Sequence, residues 1–240
     1  MFILEKIFRK LKKGLDEVGI NLVRKYTIRS FMKERLCRQE FFYNAFTTLE
    51  FNGIDGDYVE FGSHGGLTFS LAYHEAIRRS HSAKLWAFDS FQGLPDSNED
   101  KDSHPKWVKK VMSTSLSKFH KICAKRGVPK DAYNVVPGFY DKSLPAIPDK
   151  EAPNNIALAY IDCDLYSSTK DVLEFLMPRL KHGMIIAFDD YFCYSKNQMS
   201  GERLAMLEMF SENNRWELCP YMQFGWAGNS FIIEDKKLIP

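Results

Sequence analysis

Two short acidic clusters each follow an apolar run that is long enough to form one buried strand. The motif Asp162-Cys163-Asp164 follows the run at 156–161, and the pair Asp189-Asp190 follows the run at 184–188. Unbroken apolar runs of this length are typical of parallel strands that are covered on both faces. Because the carboxyl ends of parallel strands meet at one edge, three or four carboxylates would lie together there. The sequence therefore predicts an α/β fold with a hard-cation site.

A glycine-bearing turn follows another apolar strand about a hundred residues upstream. The segment 60–66 reads Glu-Phe-Gly-Ser-His-Gly-Gly and precedes a stretch with helical periodicity. Gly62 and Gly65 would let backbone amides approach a ligand, and the following helix N-terminus favours negative charge. The pattern is not GxGxxG, and Glu60 stands where a dinucleotide fold keeps an aliphatic residue. This acid could meet an amine-bearing ligand or be satisfied by backbone amides in a purely structural turn.

Alternating strand and helix signals continue along the chain and predict one α/β domain with additions. A preamble of two helices is expected before Gly53, and Trp216–Cys219 with Asn229–Ile233 are expected to close the sheet as an antiparallel pair. Proline and glycine predict a loop at 90–95, and the polar region 96–106 continues it. The predicted parallel strands are 58–61, 85–88, 133–136, 156–161 and 184–188, and the predicted helices that connect them or follow are 65–80, 107–126, 169–180 and 201–213.

Composition narrows the class of protein. Hydrophobic residues make up 45% of the chain, enough for a sizeable core, and a net charge of +2 gives little reason to expect nucleic-acid binding. The five cysteines are scattered without a CxxC pair, so a disulfide framework or zinc cluster is not expected.

The N-terminus combines apolar and basic residues at helical spacing. Leu4, Ile7, Phe8 and Leu11 form an apolar stripe opposite a basic face, and charged residues interrupt any signal-peptide core. Packing on the chain's own domain is favoured over membrane contact, and dimerisation through this helix is an alternative. No run approaches the ~20 apolar residues of a membrane span, so a cytoplasmic protein is expected.

Asp89 ends the second predicted strand, about 25 residues after the glycine turn. Nucleotide-binding folds place an acid here to accept hydrogen bonds from ribose hydroxyls, and the alternative is a loop cap. Among the histidines only His64, inside the turn, is a candidate cofactor neighbour. The aromatic residues after the acidic clusters could line an acceptor pocket or simply pack on the sheet; they are Tyr166, Tyr191, Phe192 and Tyr194.

The acidic clusters have a structural alternative, in which each acid caps a helix or loop. One cap needs one acid, however, and adjacent partly buried acids repel one another unless a cation compensates. Metal binding is therefore favoured. Oxygen-only ligands indicate magnesium, manganese or calcium rather than zinc or copper.

An ordered set of motifs across roughly residues 50–195 resembles the macrocin O-methyltransferase (TylF) family of metal-dependent class I methyltransferases, which methylate sugar hydroxyls on natural products. The matching segments are DYVEFG at 57–62, AFDSFQGLP at 87–95, Gly138-Phe139 with Leu144-Pro145, IDCDLYSST at 161–169 and FDDY at 188–191. The resemblance implies a Rossmann-like, mostly parallel sheet with helices on both faces. From the resemblance together with the helical periodicity before Gly53, we expect an N-terminal helical extension at 1–52, a methyltransferase domain at 53–240 and a substrate-shaping insertion at 92–130.

The resemblance implies S-adenosylmethionine as methyl donor and Mg²⁺ (or Mn²⁺) as cofactor, with a small-molecule or glycan hydroxyl as acceptor. It assigns the metal to Asp162, Asp189 and Asp190. It assigns the donor to Glu60, Gly62, Ser63, His64, Asp89, Ser90, Gly138, Phe139 and Asp162. Related catechol enzymes carry a lysine base three residues after the first metal aspartate, where this chain has Leu165. Asp162 or Asp190 is then the expected proton acceptor.

Two other classes of protein remain open from the residues. Glycosyltransferases that hold a nucleotide sugar through manganese also use Asp-x-Asp at a strand end, although Glu60, Asp89 and Asp189-Asp190 have no role in that scheme. A non-catalytic S-adenosylmethionine-binding module is the second alternative. A phosphatase of the haloacid dehalogenase type is excluded because only about 25 residues separate the acidic clusters.

Overall fold

The computed structural model describes residues 2–96, 100–109, 112–211 and 213–238, and it describes the side chains of the first 26 residues only in part. The N-terminal apolar stripe from Leu4 to Leu11 lies outside the described side chains. The chain divides into two compact units, Met1–Cys37 and Arg38–Pro240. Residues 2–37 are helical throughout. None of the described helices is both long enough and apolar enough to span a lipid bilayer.

The second unit is built on a seven-stranded sheet in the order β3-β2-β1-β4-β5-β7-β6. The strands are β1 (Asp57–Phe61), β2 (Leu85–Asp89), β3 (Tyr133–Pro137), β4 (Ile156–Ile161), β5 (Ile185–Phe188), β6 (Trp216–Phe224) and β7 (Gly228–Asp235). The first five are parallel, and β7 pairs antiparallel with both β5 and β6. The predicted α/β fold with an antiparallel C-terminal pair is confirmed.

Helices cover both faces of the sheet. Their bounds are α1 (Phe2–Phe51), α2 (Leu67–Arg78), α3 (Leu116–Lys125), α4 (Tyr140–Ala146), α5 (Tyr166–Leu176) and α6 (Gly201–Ser211). The end of α1, α2 and α3 share one core with the sheet, which includes Phe42 and Phe119. The other face packs on α4, α5 and α6 through residues such as Leu173 and Met206. The sheet is thus buried on both sides, as its unbroken apolar strands predicted.

Three sequence predictions about helices need correction. The expected pair of N-terminal helices is one helix, α1, which ends at Phe51 close to the predicted stop at Gly53. The helix expected over 107–126 begins only at Leu116, because the Ser115 side chain accepts a hydrogen bond from the Lys118 amide and caps it there. The helix α4 was not predicted, since Pro145 within it signals a break rather than a helix.

Candidate functional site

The loops after β4 and β5 leave the sheet side by side. The ladder continues one residue past each strand, with the Asp162 amide donating to the Phe61 carbonyl at 2.8 Å and the Asp189 amide donating to the Ile161 carbonyl at 2.8 Å. Both acidic segments therefore begin at the same edge of the sheet. This placement is the one predicted from the two apolar runs.

Three carboxylates converge at this edge. One oxygen from each of Asp162, Asp164 and Asp190 lies within 4.8 Å of the others, with Asp164 buried and the other two partly buried. Asp164 adopts a left-handed backbone conformation with φ of 62°, which is uncommon for a residue with a side chain. Such strain persists where the surrounding structure holds it, often at functional sites. The metal set predicted from the sequence included Asp162 and Asp190 but not Asp164.

Burial and mutual repulsion make this cluster electrostatically costly. Burial, followed by repulsion from Asp189 and Asp190, raises the pKa of Asp162 well above its ordinary value. Burial and repulsion from Asp190 likewise raise the pKa of Asp164. Like charges that must share a small site need a compensating cation or proton. An all-oxygen set of this kind suits Mg²⁺ or Mn²⁺, so the residues present fit the cation that was predicted.

Asp189, which the sequence analysis also assigned to the metal, does not belong to this group of three. Its carboxylate accepts hydrogen bonds from Nε of Arg38 at 2.9 Å and from Nη2 of Arg38 at 2.6 Å. The Tyr160 hydroxyl donates to the same carboxylate. Asp189 is therefore held in a bidentate ion pair behind the cluster, where its charge still raises the pKa of Asp162.

A cavity of about 390 Å³ adjoins the carboxylates. It is lined by Gly62, His64, Asp89, Ser90, Gly93, Leu94, Pro95, Asp96, Met112, Gly138, Phe139, Tyr140, Asp141, Lys142, Asp162, Cys163, Asp164, Ser167, Ser168 and Asp171. Seven of the predicted donor-binding residues are among them, and Glu60 and Ser63 are not. Leu94, Pro95 and Asp96 also line the cavity and belong to the insertion predicted at 92–130. The glycine turn, the end of β2 and the acidic cluster thus open on one space.

Asp89 fixes the loops on either side of this cavity. Its carboxylate accepts one hydrogen bond from the His64 amide at 2.8 Å and one from the Phe91 amide at 2.6 Å. Both donor residues have positive φ, 27° at His64 and 55° at Phe91. Each carboxylate oxygen can accept a further hydrogen bond. Asp89 therefore has the loop-capping role weighed in the sequence and keeps acceptor capacity toward the cavity.

Glu60 lies inside the sheet. It is fully buried and accepts hydrogen bonds from the Tyr58 hydroxyl and, at 3.1 Å, from the Thr68 hydroxyl. Burial raises its pKa to about 8. Side-chain hydroxyls, rather than the backbone amides considered from the sequence, provide its contacts in the structure.

The raised pKa of Glu60 predicts a specific pH dependence of stability. A carboxyl with a folded pKa near 8 and an unfolded pKa near 4.5 stabilises the fold fully below pH 4.5, and that contribution is lost as the pH rises through 8. The wild type should therefore lose stability relative to Glu60→Gln as the pH rises from 4.5 to 8. The difference between their free energies of unfolding should change by about 1 kcal/mol per pH unit in favour of the variant. Urea denaturation at pH 5, 6, 7 and 8 measures the gap, and a gap that stays constant would contradict the assignment.

None of the four aromatic residues after the acidic clusters lines the cavity, and three of them pack on the core. Tyr166 and Tyr191 are buried in the core, and Phe192 packs against it. Tyr194 is exposed. The packing alternative is thus the one that the structure supports for the first three.

Several residues at this edge escaped the sequence analysis because their partners are distant in the chain. Arg38 reaches Asp189 across 151 positions. Glu202 reaches the amides of Cys163 and Asp190 from the start of α6. The only local signal for Glu202 is a Gly-Glu pair at a helix start.

The parallel sheet with a cavity at the carboxyl ends of its central strands defines the Rossmann-like fold of class I methyltransferases. Solved structures support this fold: the O-methyltransferase NovP has a TM-score of 0.68 at 24% identity, with 82% of this chain and 79% of that chain covered. The calicheamicin methyltransferase CalS11 has a TM-score of 0.63 at 23% identity, with 81% of this chain and 77% of that chain covered. At these identities the likeness concerns the fold.

The chain belongs to the macrocin-O-methyltransferase (TylF) family, whose model matches residues 32–212. A tetracenomycin-C rhamnosyl 4'-O-methyltransferase from Streptomyces olivaceus is 32% identical, with 58% of this chain and 54% of that enzyme covered. The demethyldecarbamoylnovobiocin O-methyltransferase of Streptomyces niveus is 29% identical over the same shares. The chain thus spans about half the length of the curated relatives it matches.

Proposed function

We propose that this protein is an S-adenosylmethionine-dependent O-methyltransferase that acts on a hydroxyl of a sugar moiety, in a glycosylated natural product or glycan. The observation that carries the proposal is the convergence of Asp162, Asp164 and Asp190 beside a cavity that the glycine turn and Asp89 also line. The name of the relative from Streptomyces olivaceus, a 4'-O-methyltransferase of a rhamnosyl compound, supports the sugar hydroxyl as acceptor. We propose Mg²⁺ or Mn²⁺ as the cation.

The donor would occupy the cavity between the turn after β1 and the end of β2. Gly62 lines this cavity, and both its φ of 93° and the close approach of the Asp162 carbonyl suit glycine. Asp89 would accept hydrogen bonds from the ribose hydroxyls, since its oxygens retain lone pairs. Gly138 and Phe139 would flank the base from the end of β3. Bound in this way, S-adenosylmethionine supplies an activated methyl group on a sulfonium.

The three carboxylates would hold the cation and fix the acceptor. A divalent cation lowers the pKa of a coordinated hydroxyl and orients its oxygen. Asp162 lines the donor cavity as well as the cluster, so it places the acceptor next to the donor. The hydroxyl proton passes to one of the carboxylates; the sequence selected Asp162 or Asp190, and the geometry adds Asp164. Leu165 is buried and offers no base at the position of the catechol enzymes' lysine.

Donor binding is tested by thermal stability. S-Adenosylhomocysteine at about a hundred times its Kd should stabilise the fold by about 2.7 kcal/mol, which raises the Tm by about 5 to 10 °C. Asp89→Asn should lose most of this shift, because an amide can replace only part of the acceptor capacity of the carboxylate. Differential scanning fluorimetry measures both.

The control is Asp57→Asn at the opposite edge of the sheet. Asp57 also accepts two N–H hydrogen bonds, from the Lys84 amide and from the Trp86 indole, so the variant perturbs a comparable pair of hydrogen bonds away from the cavity. It should keep the full shift. No stabilisation of the wild type by S-adenosylhomocysteine would contradict the proposal and favour a nucleotide-sugar enzyme. Turnover is then followed as S-adenosylhomocysteine release with rhamnosylated acceptors, before and after cation removal by EDTA.

A further inference from the structure

The geometry of the cluster depends on the separation of two loops. Asp162 and Asp164 belong to the loop after β4, and Asp190 belongs to the loop after β5. The last ladder hydrogen bond between the two segments runs from the Asp189 amide to the Ile161 carbonyl at 2.8 Å. Beyond that bond the chains leave the regular sheet, so something else must fix the distance between their carboxylates.

Glu202 bridges the two loops with one carboxylate. Its Oε1 accepts a hydrogen bond from the Cys163 amide at 2.8 Å, and its Oε2 accepts one from the Asp190 amide at 3.0 Å. The Glu202 side chain is fully buried. Cys163 stands between two of the clustered acids, and Asp190 is the third. The planar carboxylate of Glu202 therefore links the backbones of the two loops that carry the cluster.

The start of α6 is itself held firmly against the same loops. Gly201 has a φ of 64°, and a side-chain carbon there would lie 3.1 Å from the Cys193 carbonyl and 3.2 Å from the Asp164 carbonyl. Farther along α6, Ala205 and Met206 are buried in the core beneath the sheet. The packing of α6 thus fixes the position of Glu202. Through its two hydrogen bonds, Glu202 then holds both acidic loops in place.

We infer that Glu202 is a positioning residue that sets the spacing of the Asp162–Asp164 loop and Asp190, and through it the affinity of the cluster for a divalent cation. Each Glu202 oxygen accepts a backbone amide hydrogen bond, so its role is to place the ligands. The inference rests on the proposed function, because it assigns the cluster to a cation. Groups behind metal ligands commonly change metal affinity 10- to 100-fold when they are replaced.

The test uses Glu202→Gln in the full chain. Glutamine has nearly the same shape, but its one oxygen can accept from only one of the two amides, and its NH₂ faces the other donor. Mn²⁺ affinity, measured by isothermal titration, should fall about 10-fold or more, while S-adenosylhomocysteine affinity stays within about twofold of the wild type. Hydrogen–deuterium exchange without cation should become faster at the Cys163 amide, the Asp190 amide or both.

The matched control is Glu75→Gln. Glu75 is a buried carboxylate on α2 that pairs with Arg78 and does not line the cavity. The control should leave both Mn²⁺ affinity and the exchange of the two amides unchanged. If Glu202→Gln does not fold, Glu202→Asp serves in its place, because the shorter side chain cannot reach both amides.

The outcomes separate the two claims. A wild type that binds the donor analogue but no Mn²⁺ would refute the cation site of the proposed function. A wild type that binds Mn²⁺, with a folded Glu202 variant that binds it equally well, would overturn only the positioning role. Equal loss of affinity for Mn²⁺ and for S-adenosylhomocysteine would also overturn it, since that pattern reports general disruption of the fold.

Discussion

Asp162→Asn should reduce methyl transfer about a thousandfold or more while leaving donor binding largely intact. The variant removes the carboxylate that belongs both to the cavity wall and to the cluster of three. A Lewis-acid cation contributes several kcal/mol to stabilising charge in a transition state, and each 1.36 kcal/mol is tenfold in rate. Initial rates of S-adenosylhomocysteine formation and its affinity by titration measure the two parts separately.

The stability of the same variant should move in the opposite direction. In cation-free solution burial makes a charge on Asp162 costly, and repulsion from Asp189 and Asp190 adds to that cost. Removing the charge should therefore leave the Tm equal to or above that of the wild type, as is common where function requires a strained site. Asp57→Asn at the opposite edge is the control and should keep full turnover. Unchanged turnover in Asp162→Asn would refute the proposed role of Asp162 in methyl transfer.

Gly62→Ala should have the largest effect on stability. The Gly62 φ is 93°, and an added side-chain carbon would lie 1.8 Å from the carbonyl oxygen of Asp162 and 2.8 Å from its carbonyl carbon. Both atoms belong to the Asp162 backbone, which follows β4 and is hydrogen-bonded to the end of β1, so neither can move without disturbing the pairing of β1 with β4. We expect a loss of about 4 kcal/mol or more in the free energy of unfolding and a Tm lower by about 10 °C or more.

Gly65→Ala in the same turn is the matched control. Gly65 has no contact within 4 Å of an added side-chain carbon and no positive φ. Alanine should change the free energy of unfolding by less than about 1 kcal/mol, because it fits the native backbone and restricts the unfolded chain. Chemical denaturation of the two variants gives the comparison. Similar stability of Gly62→Ala and Gly65→Ala would show that the strands do not approach as closely as described.

The sequence was informative where a local pattern determines the structure. Apolar runs 156–161 and 184–188 are typical of strands in a sheet that is covered on both faces, and the acids that follow then lie at its edge. The helix α4 was missed because its tertiary contacts, such as that of buried Leu144 with the core, outweigh the proline within it. The 107–126 helix was extended too far because apolar spacing alone does not reveal a cap such as Ser115.

It was harder to predict from the sequence which acids belong to the cluster of three. From sequence spacing, Asp164 and Asp189 are both candidates, since Asp164 lies two positions from Asp162 and Asp189 is adjacent to Asp190. The left-handed backbone of Asp164 brings it into the cluster, whereas an ion pair with Arg38 holds Asp189 behind it. Such choices depend on contacts between residues far apart in the chain. The bridge from Glu202 to both loops was invisible for the same reason.

The most direct test is a crystal soaked with Mn²⁺ and S-adenosylhomocysteine, with diffraction recorded at the manganese absorption edge. We expect one anomalous peak coordinated by oxygens of Asp162, Asp164 and Asp190, and the sulfur of S-adenosylhomocysteine in the adjoining cavity. A nucleoside in that cavity with no peak at the three carboxylates, or manganese bound elsewhere, would contradict it.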